Sequence, residues 1–83
     1  MSAQLTVERT FKLSSRPYLL VVGTLDGDPL HIGDRVTIQT AGQISAETVI
    51  RSIEIHSPAG TTTIALDADL ADQIGPGTIV RRD

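Results

Sequence analysis

The chain has no cysteine and no tryptophan, one phenylalanine, one tyrosine and one lysine among 83 residues. Each shortage closes a class of function. Without cysteine there is neither a disulfide framework nor thiolate zinc, and no thiol redox chemistry. So few aromatics leave no stacking platform of the kind single-stranded nucleic acid uses. The lone Lys12 follows Phe11 in a strand-like segment instead of sitting in a Gly-Lys-Ser/Thr loop, so a phosphate-binding P-loop is missing. The longest aliphatic run, Leu19 to Val22, is far short of the about 20 residues a membrane helix needs. The first twenty residues carry Glu8, Arg9 and Lys12 in place of a leader's apolar stretch, which leads to a cytoplasmic expectation. Ten acidic against seven basic side chains give a net charge of -3, the wrong sign for a DNA-binding or membrane-surface protein.

What is present reads as β structure in one domain, residues 1–83. Leu5, Val7, Phe11 and Leu13 share one parity, with Arg9 breaking the apolar side, and predict a first strand over Leu5 to Leu13. After Ser14 to Pro17 a second strand runs from Tyr18 to Leu25, closed by the turn Asp26 to Pro29. Val36 and Ile38 mark a third, followed by a small-residue loop from Thr40 to Ala46 that is expected to face water. From Glu47 to His56 the apolar parity changes between Ile50 and Ile53, which predicts a bulge or strong bend near Arg51 and Ser52. Thr61 to Leu66 and Thr78 to Arg82 are further strands, and the segment from Asp67 to Gly77 holds one helical turn at most. Six or seven short strands in so small a chain favour a closed barrel, which leaves no long unpaired edge.

Several residues bear chemistry, each with a plainer reading beside it. His31 and His56 could ligate a metal or act as acid or base only by converging with carboxylates such as Asp28 or Glu54. Asp67, Asp69 and Asp72 lack the glycine and terminal glutamate of a calcium loop, so Asp67 or Asp69 is expected to cap the helical turn. Ser14, Ser15 and Ser57 stand in no nucleophile elbow, and hydrolase chemistry is not expected. Gly75 to Gly77 is a turn, and Arg81 and Arg82 with Asp83 form a basic end expected to be solvated. No cofactor and no metal are expected.

The order of these motifs resembles a known family. Phe11 and Leu13, then Arg16, Gly23 and Leu25, the run Ile32-Gly33-Asp34-Arg35-Val36-Thr37-Ile38, the run Ile50 to His56, Ala59-Gly60, and Ile74 through Gly77 to Ile79 follow, across nearly the whole chain, the pattern of the second domain of translational GTPases such as elongation factor Tu. The departures are Pro17 after Arg16 where the family has glycine, an extra residue between Phe11 and Gly23, Gly27 one place early, and a short loop before Ala59.

The resemblance implies a closed six- to seven-stranded Greek-key barrel without its GTPase domain. In elongation factor Tu this domain holds the aminoacylated end of transfer RNA. By matching, Glu54 takes the place of the glutamate that closes the pocket, while Leu13 and Leu20 (or Leu19) take its apolar walls, and Arg16 and His56 belong to the same matched motifs. The plainer reading of Glu54 is a solvated strand residue, which the acidic composition and scarce aromatics favour. Two functional readings follow: a non-catalytic binding module that docks a protein or ribonucleoprotein, with transfer RNA as a variant, or a structural homo-oligomer joined through the strands "VVGTL" and "TTTIAL".

Overall fold

The computed structural model describes residues 2–12, 17–54, 57 and 59–82. Seven strands form one sheet: β1 (Ala3–Lys12), β2 (Tyr18–Gly27), β3 (Arg35–Thr40), β4 (Gln43–Val49), β5 (Ser52–Ile53), β6 (Thr62–Asp67) and β7 (Ile79–Arg82), with a 3-10 helix (Ala68–Gln73) before the last. Their spatial order is β4-β3-β7-β1-β2-β6-β5, and every neighbouring pair is antiparallel. The all-β expectation holds.

The sheet has to curl, because its two outermost strands are consecutive in the chain. Only Ile50 and Arg51 separate β4 from β5. Three Cα steps reach roughly 10 Å, whereas the edges of a flat seven-stranded sheet would lie about 29 Å apart. The result is a half-barrel. The predicted bend falls here: Ile50 donates to the Asp34 carbonyl at 3.0 Å and accepts from the Gly33 amide at 2.9 Å, while the next amide, Arg51, already donates to Ala65 of β6 at 2.9 Å. One residue serves one side of the sheet and the next serves the other.

The concave face gathers the aliphatic side chains. Leu5, Val21, Ile38, Ile64, Leu66 and Val80 are fully buried, and Leu70 of the 3-10 helix and Ile74 behind it cover one end of the core. Apolar packing does the work that a disulfide does in other small domains.

Three expectations need correction. The first strand is not regular: a bulge between Val7 and Arg9 shifts the register against β2. Beyond it Thr10 takes the inward side with Val21, and Phe11 turns outward, 48% exposed, where its parity with Leu5 and Val7 predicted a core residue. Leu13, the end of the predicted strand, lies outside the described residues.

The segment Thr40 to Ala46 is no open loop. Thr40 pairs with Gln43, leaving a two-residue turn of Ala41 and Gly42, both with positive φ (54° and 80°), after which Gln43 to Ala46 belong to β4. That geometry matches the twist of a hairpin but ordinarily recruits Asn-Gly, and alanine there hides the signal. Thirdly, Asp67 stands at the start of the 3-10 helix without a side-chain cap bond. Its carboxylate accepts instead from Nε and Nη2 of Arg51 at 3.0 and 3.3 Å, a two-point charge-assisted contact that occupies both oxygens.

Two stability predictions follow from the backbone. Alanine in the left-handed region is strained, so Ala41→Asn should stabilise the chain by about 1 kcal/mol in urea unfolding, and no gain would mean the turn is not of this type. Gly23 faces Val7 at the bulge, where an added Cβ would run into the Thr6 carbonyl. Gly23→Ala should cost about 1–3 kcal/mol, because backbone and not a flexible side chain has to give way.

Candidate functional site

Register places side chains on the outward face as surely as on the inward one. Since Thr10, Val21, Ile64 and Ile53 form an inward row across β1, β2, β6 and β5, the adjacent rows point out. One is Phe11, Leu20, Ala65 and Ser52. The other is Arg9, Val22 and Thr63, continued by Glu54, whose amide donates to the Thr63 carbonyl at 3.0 Å.

The two rows make a face with distinct ends. Val22, Thr63 and Ala65 are buried and form its floor, and Leu20 is half-buried. At one end the Arg9 guanidinium lies 5.4 Å from the centre of the Phe11 ring, a cation–π contact that holds both side chains upright. At the other end Glu54 is exposed. Three strand spacings separate Arg9 from Glu54, about 14 Å. The arrangement offers a strip in which Leu20 is the part-open apolar side chain, with a cation and an aromatic ring at one end and a carboxylate at the other. Such a strip can bind, but it places no nucleophile beside a base.

Of the residues predicted from sequence, Leu20 and Glu54 share this face, while Leu13, Arg16 and His56 lie outside the described residues. Arg9 and Phe11 were missed as a pair. Their i, i+2 spacing on a strand was the available signal, obscured by the bulge that reversed Phe11. A comparison with protein-family models finds no match, and a comparison with curated proteins finds none either.

The remaining candidates resolve into structural roles. His31 points toward Asp34, Nδ1 to Oδ2 at 3.6 Å, with 71% of its side chain exposed. Ser57 donates from its hydroxyl to that of Thr63 at 2.9 Å. Gly75 donates its amide to the Thr78 hydroxyl at 3.0 Å, and Gly77 donates to the Val7 carbonyl at 2.8 Å, so this turn ties β7 to the β1 bulge. Among the described residues no three histidine or acidic side chains gather as metal ligands, and no helix is long and apolar enough to cross a membrane. The "VVGTL" and "TTTIAL" segments lie in β2 and β6, where Val21, Ile64 and Leu66 are spent on this chain's own core. Among the described residues the exposed large apolar side chains are instead Phe11, Ile32 and Ile44.

Arg82 was expected to be solvated and is not. Its side chain is 18% exposed; Nη1 donates to Asp34 Oδ2 and to the Pro29 carbonyl, each at 2.8 Å, and Nη2 stands 3.9 Å from Asp28. The last strand thereby pins the loop that carries His31 and leads into β3. The hydrogen bond from Arg82, aided by the His31 amide at 2.8 Å, holds the Asp34 carboxyl below the usual aspartate range.

A group whose pKa is depressed on folding contributes stability that is complete above its unfolded value, about 3.9 for aspartate, and is lost as pH falls through the lower folded value. Thermal unfolding followed from pH 7 downward should show stability falling below about pH 4. Asp34→Asn should lower stability at neutral pH and make that acid limb shallower. An unchanged acid limb in the variant would show that the pin does not titrate.

Proposed function

We propose that the chain is a non-catalytic binding module, akin to the second domain of translational GTPases, which docks a protein or ribonucleoprotein partner through the outward face of β1, β2, β6 and β5. One observation carries the reading: the register brings Leu20 and Glu54, matched from sequence to an apolar wall and to the closing glutamate, onto one face with Arg9 and Phe11. The all-β half-barrel is consistent with a closed Greek-key barrel of that type. A partner would lay an apolar group on the Leu20 strip, an anionic or π-rich group against Arg9 and Phe11, and a hydrogen-bond donor against Glu54. The aminoacylated end of transfer RNA offers such a set: a side chain, a base and ribose hydroxyls. The acidic net charge makes a protein or ribonucleoprotein surface the favoured partner over bare RNA. The cytoplasm is the compartment this reading requires.

A second reading rests on Ile44, 63% exposed on β4 at the end of the sheet order. A strand edge with an exposed aliphatic side chain can pair with another copy of the chain. Ile44 lies on a different strand from the Phe11–Glu54 face, so variants separate the two.

Affinity capture from native cells with the wild type, Phe11→Ala/Glu54→Ala and Ile44→Ser tests the choice. Partners held by the proposed face should fall about tenfold or more in the double variant, since aromatic and charged anchors carry much of an interface's energy, and should be unaffected by Ile44→Ser. Titration of aminoacylated and deacylated transfer RNA against the wild type and Glu54→Ala asks the narrower question. Identical weak curves there, with capture likewise blind to the double variant, would remove this face from the reading.

A further inference from the structure

The chain's one phenylalanine and its one tyrosine stand on the same outward face. Beyond the row of Phe11, Leu20, Ala65 and Ser52 comes a further outward row, in which Tyr18 of β2 is paired with Asp67 of β6. Phe11 is opposite Leu20, and Tyr18 is two residues from Leu20 on the same strand, so the attachment points of the two rings are diagonal neighbours about 7–8 Å apart. Arg9 belongs to the row on the other side of Phe11, with its guanidinium 5.4 Å from the ring centre, so Tyr18 flanks Phe11 on the side away from Arg9. Phe11 is 48% exposed, and Tyr18 and Leu20 are half-buried. A gap of that width with Leu20 as its floor admits one ring in van der Waals contact with both walls, about 3.5–4 Å from each.

Charge and the small open area decide which ring fits. Arg51 is held by Asp67 at 3.0 Å and Arg9 is stacked against Phe11, whereas Glu54 is exposed and pairs with no cation among the described residues. A net charge of -3 weighs against a phosphate-bearing base and for a ligand with a basic group. Only Phe11, Leu20 and Tyr18 offer open apolar surface, too little to offset the ordering of a flexible chain. A polyproline II segment is extended before it binds and presents its proline rings to aromatic walls. From Leu20 to Glu54 the sheet crosses two strand spacings and one row, about 12 Å, which a polyproline II segment spans in about four residues. Ala65 and Thr63 lie between them, short and buried, so a chain can pass low across the face.

We propose that this face binds a proline-rich peptide segment in the polyproline II conformation, with one proline ring seated between Phe11 and Tyr18 over Leu20 and a basic side chain about four residues along the segment donating to Glu54. The inference rests on the docking face proposed above and names the class of protein segment it takes. The two rings supply most of the contact and the carboxylate sets the direction in which the peptide runs, because a segment laid the other way carries its basic side chain away from Glu54.

The test is a titration of the isotope-labelled full chain with a capped peptide of six prolines followed by an arginine, read from backbone amide shifts. The same peptide with alanine in place of proline, and adenosine 5′-monophosphate, are titrated beside it. Saturating shifts should centre on Phe11, Tyr18 to Leu20, Ala65, Ser52 and Glu54, and the alanine peptide should bind about tenfold or more weakly. Affinity for the proline peptide should fall about tenfold or more in Phe11→Ala and in Tyr18→Ala, and about two- to fivefold in Glu54→Gln, the last only while the peptide ends in arginine. Phe11 is largely exposed, so its variant should keep the wild-type spectrum away from this face even if Tyr18→Ala disturbs β2. Shifts that never saturate, saturation that Phe11→Ala leaves unchanged, equal binding of the alanine peptide, or tighter binding of the nucleotide at these amides would overturn the assignment. Cellular partners that depend on Phe11 and Glu54 while the proline peptide fails would leave the docking face in place and overturn its proline ligand alone.

Discussion

The two-residue link through Ile50 and Arg51 is the constraint on which the rest of the structure depends. It ties together strands that stand at opposite ends of the sheet order, and no planar arrangement satisfies it. Curling the sheet brings the ends within reach and, in the same step, creates a concave side deep enough to bury Leu5, Ile38, Ile50, Ile64 and Val80 completely. For a chain of this size, without disulfides, that coupling is economical: the geometry that meets a covalent limit also shelters the aliphatic side chains from water. The backbone bonds at Ile50 and Arg51 show the handover residue by residue.

Once the sheet is curved, its outward surface divides into regions of different character. Over β1, β2, β6 and β5 the half-buried Leu20 is flanked by Arg9 with Phe11 and by Glu54. Over β4, β3 and β7 it is polar and carries two arginines. The division is maintained by committed charges. Arg51 is held by Asp67, which keeps its guanidinium protonated above its already high ordinary value, and Arg82 is held by Asp34 and Asp28.

Bulges do more to distribute function here than residue identity does. The irregularity after Val7 moves Phe11 from core to surface and so creates the aromatic end of the proposed face. A second one, between Ile38 and Gln39, sets Gln39 opposite Ile44 and leaves Ser45 to donate back to the Ile38 carbonyl at 3.4 Å; Ile44 is left exposed on β4. In both cases one extra residue reverses which side chains meet water, as a period of two requires.

The sequence alone determined the all-β class, the bend at Arg51 and the missing P-loop, because alternation, glycine turns and absent motifs are local properties. Tertiary structure decided which strands became neighbours, that Arg82 would be pinned and Arg81 turned outward, and that Arg9, Leu20, Phe11 and Glu54 would share one face. Those outcomes turn on register between segments far apart in sequence, and a single bulged residue changes them without altering the local pattern that a reader of the sequence can see.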